Sequence, residues 1–187
     1  MVRFRSMTRQ EYKINHTKFK IIYAFHSTPF GNCLIGTTNT DKAIVHLGFV
    51  GKSNEEALTE LKNNWPLSEL IENDTDELNN IVHKIFSERV STDDSILLLM
   101  KGTEFQIKVW EALMLISDGS TVTYEQVAQN IGKPTASRAV GNAVMKNYIV
   151  YLIPCHRVVG KSGSNKYKWG TNLKESILTH ERKYVNT

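Results

Sequence analysis

Cys155 and His156 stand side by side in Ile153-Pro154-Cys155-His156-Arg157-Val158-Val159. A thiol next to an imidazole offers a nucleophile next to its base. The thiolate is the reactive form, and an imidazole that takes the thiol proton, directly or through a water, raises its fraction. Pro154 presets its own φ and pushes Ile153 toward extended conformations. Apolar residues on both sides predict a short buried strand or extended segment that carries the thiol to the floor of a pocket. The plain alternative is a buried structural cysteine beside a surface histidine, since free cysteine is among the most buried residue types. Glu181 is the third candidate. In a last helix predicted over 172–184, Leu173, Ile177 and Glu181 fall at i, i+4 and i+8, which turns Glu181 inward with the two apolar residues. A half-buried carboxylate needs a partner, and His156 is the obvious one. The three would then be nucleophile, base and orienting acid. A surface salt bridge is the other reading of Glu181.

The elements that must position these residues begin near residue 101. Thr103-Glu104-Phe105-Gln106 is a capping box, opening a helix with Phe105, Val109, Ala112, Leu113 and Ile116 on its inner face. Asp118-Gly119-Ser120 breaks it. Thr123-Tyr124-Glu125-Gln126 opens a short helix through Val127, Ala128 and Ile131, which Gly132-Lys133-Pro134 ends before another over 136–146. Two short helices with a glycine between them make a helix-turn-helix. The second is built of small residues, Ala136, Ser137, Ala139, Gly141, Asn142 and Ala143, with Arg138 the one long basic side chain among them. Tight helix packing favours such a face. So does approach to a nucleic-acid minor groove, which is roughly 6 Å wide, where a wedging side chain can occupy the space of an extruded base. A flexible loop over 160–165 follows the Cys-His stretch and leads to Tyr167-Lys168-Trp169-Gly170.

Residues 1–18 read as a loosely ordered arm. From 19 to 50, β-prone runs at 21–25, 33–36 and 43–49, separated by turn-rich Thr28-Pro29-Phe30-Gly31 and Thr38-Asn39-Thr40-Asp41, predict an antiparallel meander. Ser53-Asn54-Glu55-Glu56 caps a helix carrying Ala57, Leu58, Leu61 and Trp65. A second helix is predicted over 76–87 and a strand over 96–100. This half is expected to be a small α+β domain without catalytic residues. Cys33 reads as a core residue, and His26, His46 and His83 have no ligand spacing, so no metal is assigned. The organisation expected is an arm over 1–18, an α+β domain over 19–100 and a helical domain over 101–187.

The formal net charge of +4 over 187 residues leans toward an anionic partner without demanding one. Two cysteines far apart suggest no disulfide framework and hence a reducing compartment. The first fifteen residues lack the apolar core of a signal peptide, and no stretch could span a bilayer. The expectation is a cytoplasmic protein with no membrane partner.

The chain resembles the methylated-DNA–protein-cysteine methyltransferases, the O6-alkylguanine-DNA alkyltransferases. Pro154-Cys155-His156-Arg157-Val158 matches their active-site motif. The likeness extends through Gly102-Thr103-Glu104-Phe105-Gln106, Val109-Trp110, Thr123-Tyr124, Ile131-Gly132-Lys133-Pro134, Arg138-Ala139-Val140-Gly141, Asn147, and Leu173-Lys174 to His180-Glu181. Thr28-Pro29-Phe30-Gly31 is similar to a weaker N-terminal motif, and Tyr167-Lys168-Trp169-Gly170 is most similar to the C-terminal half of the bacterial adaptive-response proteins. The resemblance implies an α+β chain: a small ribonuclease-H-like domain, then a mostly helical, winged-helix-like domain that binds DNA through its helix-turn-helix.

It also implies roles. Cys155 takes the alkyl group from O6 of guanine, or the methyl of O4-methylthymine, activated by His156 and Glu181. Tyr124 approaches the flipped base and assists the leaving guanine. Arg138 replaces the extruded nucleotide, with Ala136, Ser137, Gly141 and Thr123 along the DNA. Asn147 is a hinge, and Val158, Tyr167, Lys168 and Trp169 border the pocket. The partner is double-stranded DNA containing O6-alkylguanine, the protein a monomer, and no cofactor is implied. A thioether has no good leaving group, so the protein is consumed once per lesion. No tetrahedral intermediate forms, so no oxyanion hole is needed. The sequence departs from the family at Tyr148 and Ser117, where proline is common, in a loop one residue short before Tyr167 that also lacks the usual glycine, and at Lys168 and Trp169, where small residues are common. Trp169 is expected to narrow the pocket mouth against bulky alkyl groups. The rivals are a non-catalytic lesion-recognition protein, against which Cys155 argues, a methylation-sensing DNA-binding regulator, and more distantly a cysteine hydrolase.

Overall fold

The computed structural model describes residues 2–87, 95–161 and 166–185, the last two of these by backbone alone. Most of the predicted loop over 160–165, including its shortening, lies outside the described residues. The chain divides into two compact units, Met1–Thr103 and Glu104–Thr187. Among the described residues there are seven α-helices and two sheets, and no helix is long and apolar enough to cross a membrane.

The first unit is a six-stranded mixed sheet of β1 (Val2–Met7), β2 (Ile21–Thr28), β3 (Gly31–Thr38), β4 (Ile44–Phe49), β5 (Leu70–Glu72) and β6 (Ile96–Lys101), in the order β1-β6-β4-β3-β2-β5. The meander is β2 (Ile21–Thr28), β3 (Gly31–Thr38) and β4 (Ile44–Phe49), antiparallel as their turn residues predict. Cys33, Leu34, Ile35 and Leu47 are fully buried. Helix α2 (Asn54–Asn64) starts at Ser53, whose hydroxyl accepts from the Glu56 N–H, and Trp65 just beyond it donates Nε1–H to the Val45 carbonyl at 3.1 Å. The predicted second helix is α3 (Asp76–Phe86), with Leu78, Val82, Ile85 and Phe86 buried.

The expected arm is instead structured. β1 (Val2–Met7) pairs in parallel with β6 (Ile96–Lys101), and α1 (Arg9–Asn15) follows. The physical reason is that an edge strand needs a partner for its backbone, not a buried face: β1 is exposed on both sides and alternates Val2 and Phe4 with Arg3 and Arg5. Thr8-Arg9-Gln10-Glu11 satisfies both halves of a capping box, a signal present in the sequence. The short strand β5 (Leu70–Glu72), which no periodicity announces, pairs with β2.

The second unit is α4 (Glu104–Met114), β7 (Val122–Thr123), α5 (Tyr124–Asn130), α6 (Ser137–Met145), β8 (Val158–Val159) and α7 (Thr171–Val185). Val109, Trp110 and Leu113 of α4 are buried, and Trp110 donates Nε1–H to the Ala143 carbonyl of α6 at 2.9 Å. Thr123 and Gln126 form the predicted capping box of α5. β7 and β8 pair in parallel and join the start of α5 to the segment carrying Cys155.

Candidate active site

The chain reaches Cys155 through two very tight turns rather than an extended run. At the first, the Leu152 N–H bonds the Val150 carbonyl at 2.9 Å across Tyr151, whose φ is 71°. This is a γ-turn of the strained hand, of the kind costing about 1–3 kcal/mol. At the second, the Cys155 N–H bonds the Ile153 carbonyl at 2.8 Å across Pro154, with φ −79° and ψ 67°. Pro154 thus folds the chain back, and residues Cys155–Arg157 make a 3-10 turn. The strand predicted here is confined to Val158–Val159. Asn147 braces both turns: its Nδ2 donates to the Ile153 carbonyl at 2.8 Å and its Oδ1 accepts from the Ile149 N–H at 3.0 Å. Tyr148 is buried with its ring edge-on to Trp110.

These turns leave Cys155 and His156 buried, His156 with no exposed surface at all. His156 Nε2 lies 2.7 Å from Glu181 Oε1. Glu181 also accepts from Arg157 Nε at 3.1 and 3.2 Å, from Arg157 Nη2 at 2.8 Å and from the Gly119 N–H at 2.8 Å. Burial alone would raise its carboxyl, but the bonds from His156 and Arg157 and that N–H outweigh burial and hold it at about 2. An ionised carboxylate only accepts, so Nε2 carries the imidazole proton and Nδ1 is the bare nitrogen. Nδ1 is buried without a hydrogen-bond partner. Burial also lowers the His156 pKa, against the pull of Glu181, so the ring is a neutral acceptor near pH 7. The Cys155 thiol is pushed up by burial, and the Asn147 amide, the Tyr167 hydroxyl and the Lys174 charge offset part of that. The Tyr167 hydroxyl is itself buried without an oxygen or nitrogen partner. Among the described residues no direct hydrogen bond joins the thiol to His156. The resting site is therefore a protonated thiol with a neutral base beside it, the arrangement in which a proton can leave sulfur as an electrophile arrives.

Arg157 completes the support. Its Nη1 donates to the Ile116 carbonyl and its Nη2 to Asp118 Oδ1, both at 2.5 Å. Gly119 has φ 69°, and a Cβ there would stand 2.9 Å from Arg182 Cγ and 3.2 Å from its Cα, so this corner admits only glycine. On α7 the buried stripe is Lys174, Ile177, Leu178 and Glu181. Leu173, expected inward, is only half-buried, and fully buried Lys174 takes that place, donating Nζ to the Val158 carbonyl at 2.6 Å. Its stem packs as an apolar chain while its charge ends near the thiol.

The residues assigned to DNA, except Ala136, lie on one open cleft of about 440 Å³, lined by Thr123, Tyr124, Glu125, Ser137, Arg138, Gly141 and Lys161. Lys161 reaches Glu125 at 3.2 Å. Tyr124 belongs to both regions: it lines the cleft, and its hydroxyl is raised by burial and by the nearby Cys155. Arg138 is exposed, whereas Ala136 sits at the N-cap of α6 and does not line the cleft. A Cβ on Gly141 would meet the Tyr124 ring at 3.8 Å, an ordinary contact, so glycine is not required there. Trp169 packs on Tyr167, ring centroids 5.4 Å apart, with Lys168 Nζ 4.8 Å from its own ring centre.

Residues 104–183 match the family described as "6-O-methylguanine DNA methyltransferase, DNA binding domain". The inducible methylated-DNA–protein-cysteine methyltransferase of Bacillus subtilis is 36% identical over 148 residues, covering 78% of this chain and 82% of that protein. The chain belongs to the methylated-DNA–protein-cysteine methyltransferase family. The regulatory protein ada of Salmonella typhimurium is 34% identical over 186 residues, 94% of this chain, and this chain spans 49% of it, about half its length. Mycobacterium tuberculosis OGT in complex with DNA has a similar structure, with a TM-score of 0.67 and 28% identity, covering 87% of this chain and 94% of that one. Two residues of the site carried no role in the sequence reading, Arg157 and Lys174. Arg157 stands directly before the apolar pair Val158-Val159 and Lys174 lies seven residues before Glu181, two turns along the same helix face, which is the signal that could have found them.

The Glu181 carboxylate predicts an acid dependence of stability. Its folded pKa is depressed, so its contribution is present above its unfolded value of 4.5 and is lost as pH falls through about 2. That shift is worth on the order of 3 kcal/mol at neutral pH. Urea unfolding from pH 7 to pH 2 is expected to show the wild type losing about that much more than Glu181→Gln. Parallel curves would mean that the carboxylate is no better held folded than unfolded.

Proposed function

We propose that this protein repairs DNA by direct reversal, with Cys155 taking the alkyl group from O6 of guanine once per protein molecule. The observation that carries this reading is the buried set of Cys155, His156 and Glu181, with the carboxylate holding Nε2–H and Nδ1 left bare. Nδ1 takes the thiol proton, directly or through a water. Sulfur attacks the alkyl carbon, the carbon–oxygen bond breaks, and guanine leaves with the bonding electrons while the Tyr124 hydroxyl assists its neutralisation. The product is a thioether without a leaving group, so Cys155 is not regenerated. O4-methylthymine presents the same methyl–oxygen bond and is a second substrate.

The supporting roles belong to the same proposal. Residues of α5 and α6 act as a helix-turn-helix in a winged-helix-like domain, Arg138 entering the base stack beside Thr123, Ser137 and Gly141. Ala136 starts α6 without forming part of the cleft. Asn147 fixes the turns that aim the thiol, and the Val158, Tyr167, Lys168 and Trp169 region borders the alkyl pocket, Trp169 narrowing it through Tyr167. The first unit is the ribonuclease-H-like domain. The protein acts as a monomer on double-stranded DNA containing O6-alkylguanine. A recognition protein without transfer is disfavoured by a buried cysteine adjacent to a carboxylate-held histidine, which pure binding does not need.

The test is stoichiometric. Incubation with excess duplex containing O6-methylguanine is expected to add the mass of one methyl group to the Cys155 peptide and then stop, while Cys155→Ser binds the duplex and transfers nothing. Turnover beyond one equivalent, or methyl on another residue, would overturn the reading.

A further inference from the structure

Tyr151 stands out among the residues around His156. It is one of two non-glycine residues with positive φ among those described, the other being Lys42 in the first unit. A tyrosine has no local reason to adopt that conformation, and strained backbone persists where the surroundings impose it, often at functional sites. The strain has a visible result. The Tyr151 ring lies nearly parallel to the imidazole of His156, with an interplanar angle of 21° and centroids 6.1 Å apart. Tyr151 is half-buried, and its ring is stacked toward the fully buried His156. Asn147 pins Ile149 and Ile153 on either side of the turn, which leaves the ring little freedom to swing away.

We propose that Tyr151 is a positioning residue that acts through His156, its ring excluding water from the imidazole and fixing the plane in which Nδ1 meets the thiol. The proposal rests on the reading of Cys155 and His156 as nucleophile and base. The charged groups facing His156 are Glu181 and Lys174 from α7 and Arg157 from its own turn. None of them changes when Tyr151 is replaced. What changes is solvation: a wetted imidazole holds its proton more readily, and a protonated His156 cannot receive one from sulfur. The acid limb of reactivity must then move to higher pH while the alkaline plateau stays.

The experiment compares wild type with Tyr151→Leu, Tyr151→Gly and Tyr151→Phe. Two rates are followed from pH 5 to 9: methyl transfer from O6-methylguanine duplex, and Cys155 alkylation by iodoacetamide, which needs no DNA. Leucine removes the flat ring but keeps bulk, and glycine also relieves the backbone, so a folding defect in one leaves the other informative. On the acid limb both are expected to react about 3–10-fold slower, as a limb raised by roughly half to one pH unit requires, and to match wild type on the alkaline plateau. Tyr151→Phe, which restores the ring, is expected to restore the wild-type limb. A uniform slowing at every pH, or an unmoved limb in both Leu and Gly variants, would overturn the proposal. If wild type transferred no methyl group, the functional reading would fail, while the iodoacetamide profiles would still decide whether Tyr151 governs the Cys155–His156 pair.

Discussion

Arg157→Met is expected to cost about 3–5 kcal/mol of stability, because it removes one partner of a buried ion pair and leaves the other charge uncompensated. Arg157 is buried, and its guanidinium serves the Glu181 carboxylate, the Ile116 carbonyl and Asp118 at once. Methionine fills the volume and keeps none of those bonds. Reactivity should fall with stability, for a separate reason. The Arg157 charge is among the influences holding the His156 pKa down. Without it, Glu181 draws a proton onto the imidazole more readily, and the base for Cys155 stays occupied up to a higher pH. On the acid limb of the pH profile methyl transfer is therefore expected to slow by roughly tenfold, the factor that about one pKa unit in the base produces there. Arg157→Lys should rescue little, since a single ammonium cannot reproduce a planar fork that bonds a carboxylate side-on and a carbonyl behind it. Urea unfolding and single-turnover transfer rates check both halves. A lysine variant with wild-type stability would mean that charge alone, not fork geometry, matters.

The same buried charges show what the sequence makes legible. Cys155, His156 and Glu181 can be linked from sequence because Glu181 lies eight residues from Leu173 on a helix whose period is fixed. The structure brings the two partners to 2.7 Å. That helix's buried face is nevertheless rotated, since Lys174 sits inside and Leu173 at the margin. Periodicity locates a stripe, but a long alkyl stem with a charged tip can lie on either side of it. The turns at Tyr151 and Pro154 were illegible for another reason: β-branched neighbours favour an extended chain, and only the Asn147 brace, acting across six residues, overrides that preference. In the first unit the meander follows from its turn residues, whereas β1 and β5 exist through backbone pairing with β6 and β2 and carry little hydrophobic signature.

Arg138→Ala is expected to slow methyl transfer from O6-methylguanine in duplex DNA by about 100-fold and to leave transfer from the free base within about twofold. Arg138 is exposed on α6 and lines the same cleft as Tyr124, whose hydroxyl lies toward Cys155. A base reaches that thiol only by leaving the helix. Extrusion costs a few kcal/mol, which a side chain entering the vacated stack offsets. Losing about 2.7 kcal/mol of that support corresponds to two orders of magnitude. The free base has no stack to leave, so the same substitution should not touch it. Salt dependence separates this role from simple phosphate binding. An arginine on a phosphate contributes about one to the slope of log affinity against log salt, whereas an arginine in the stack leaves most of that slope in place. Single-turnover rates on the two substrates, with duplex affinity measured across a salt series, supply the decision. Equal slowing on duplex and free base would place Arg138 in the chemistry or the folding of α6. A slope lowered by one with little loss of rate would place it on the backbone of the DNA instead of between its bases.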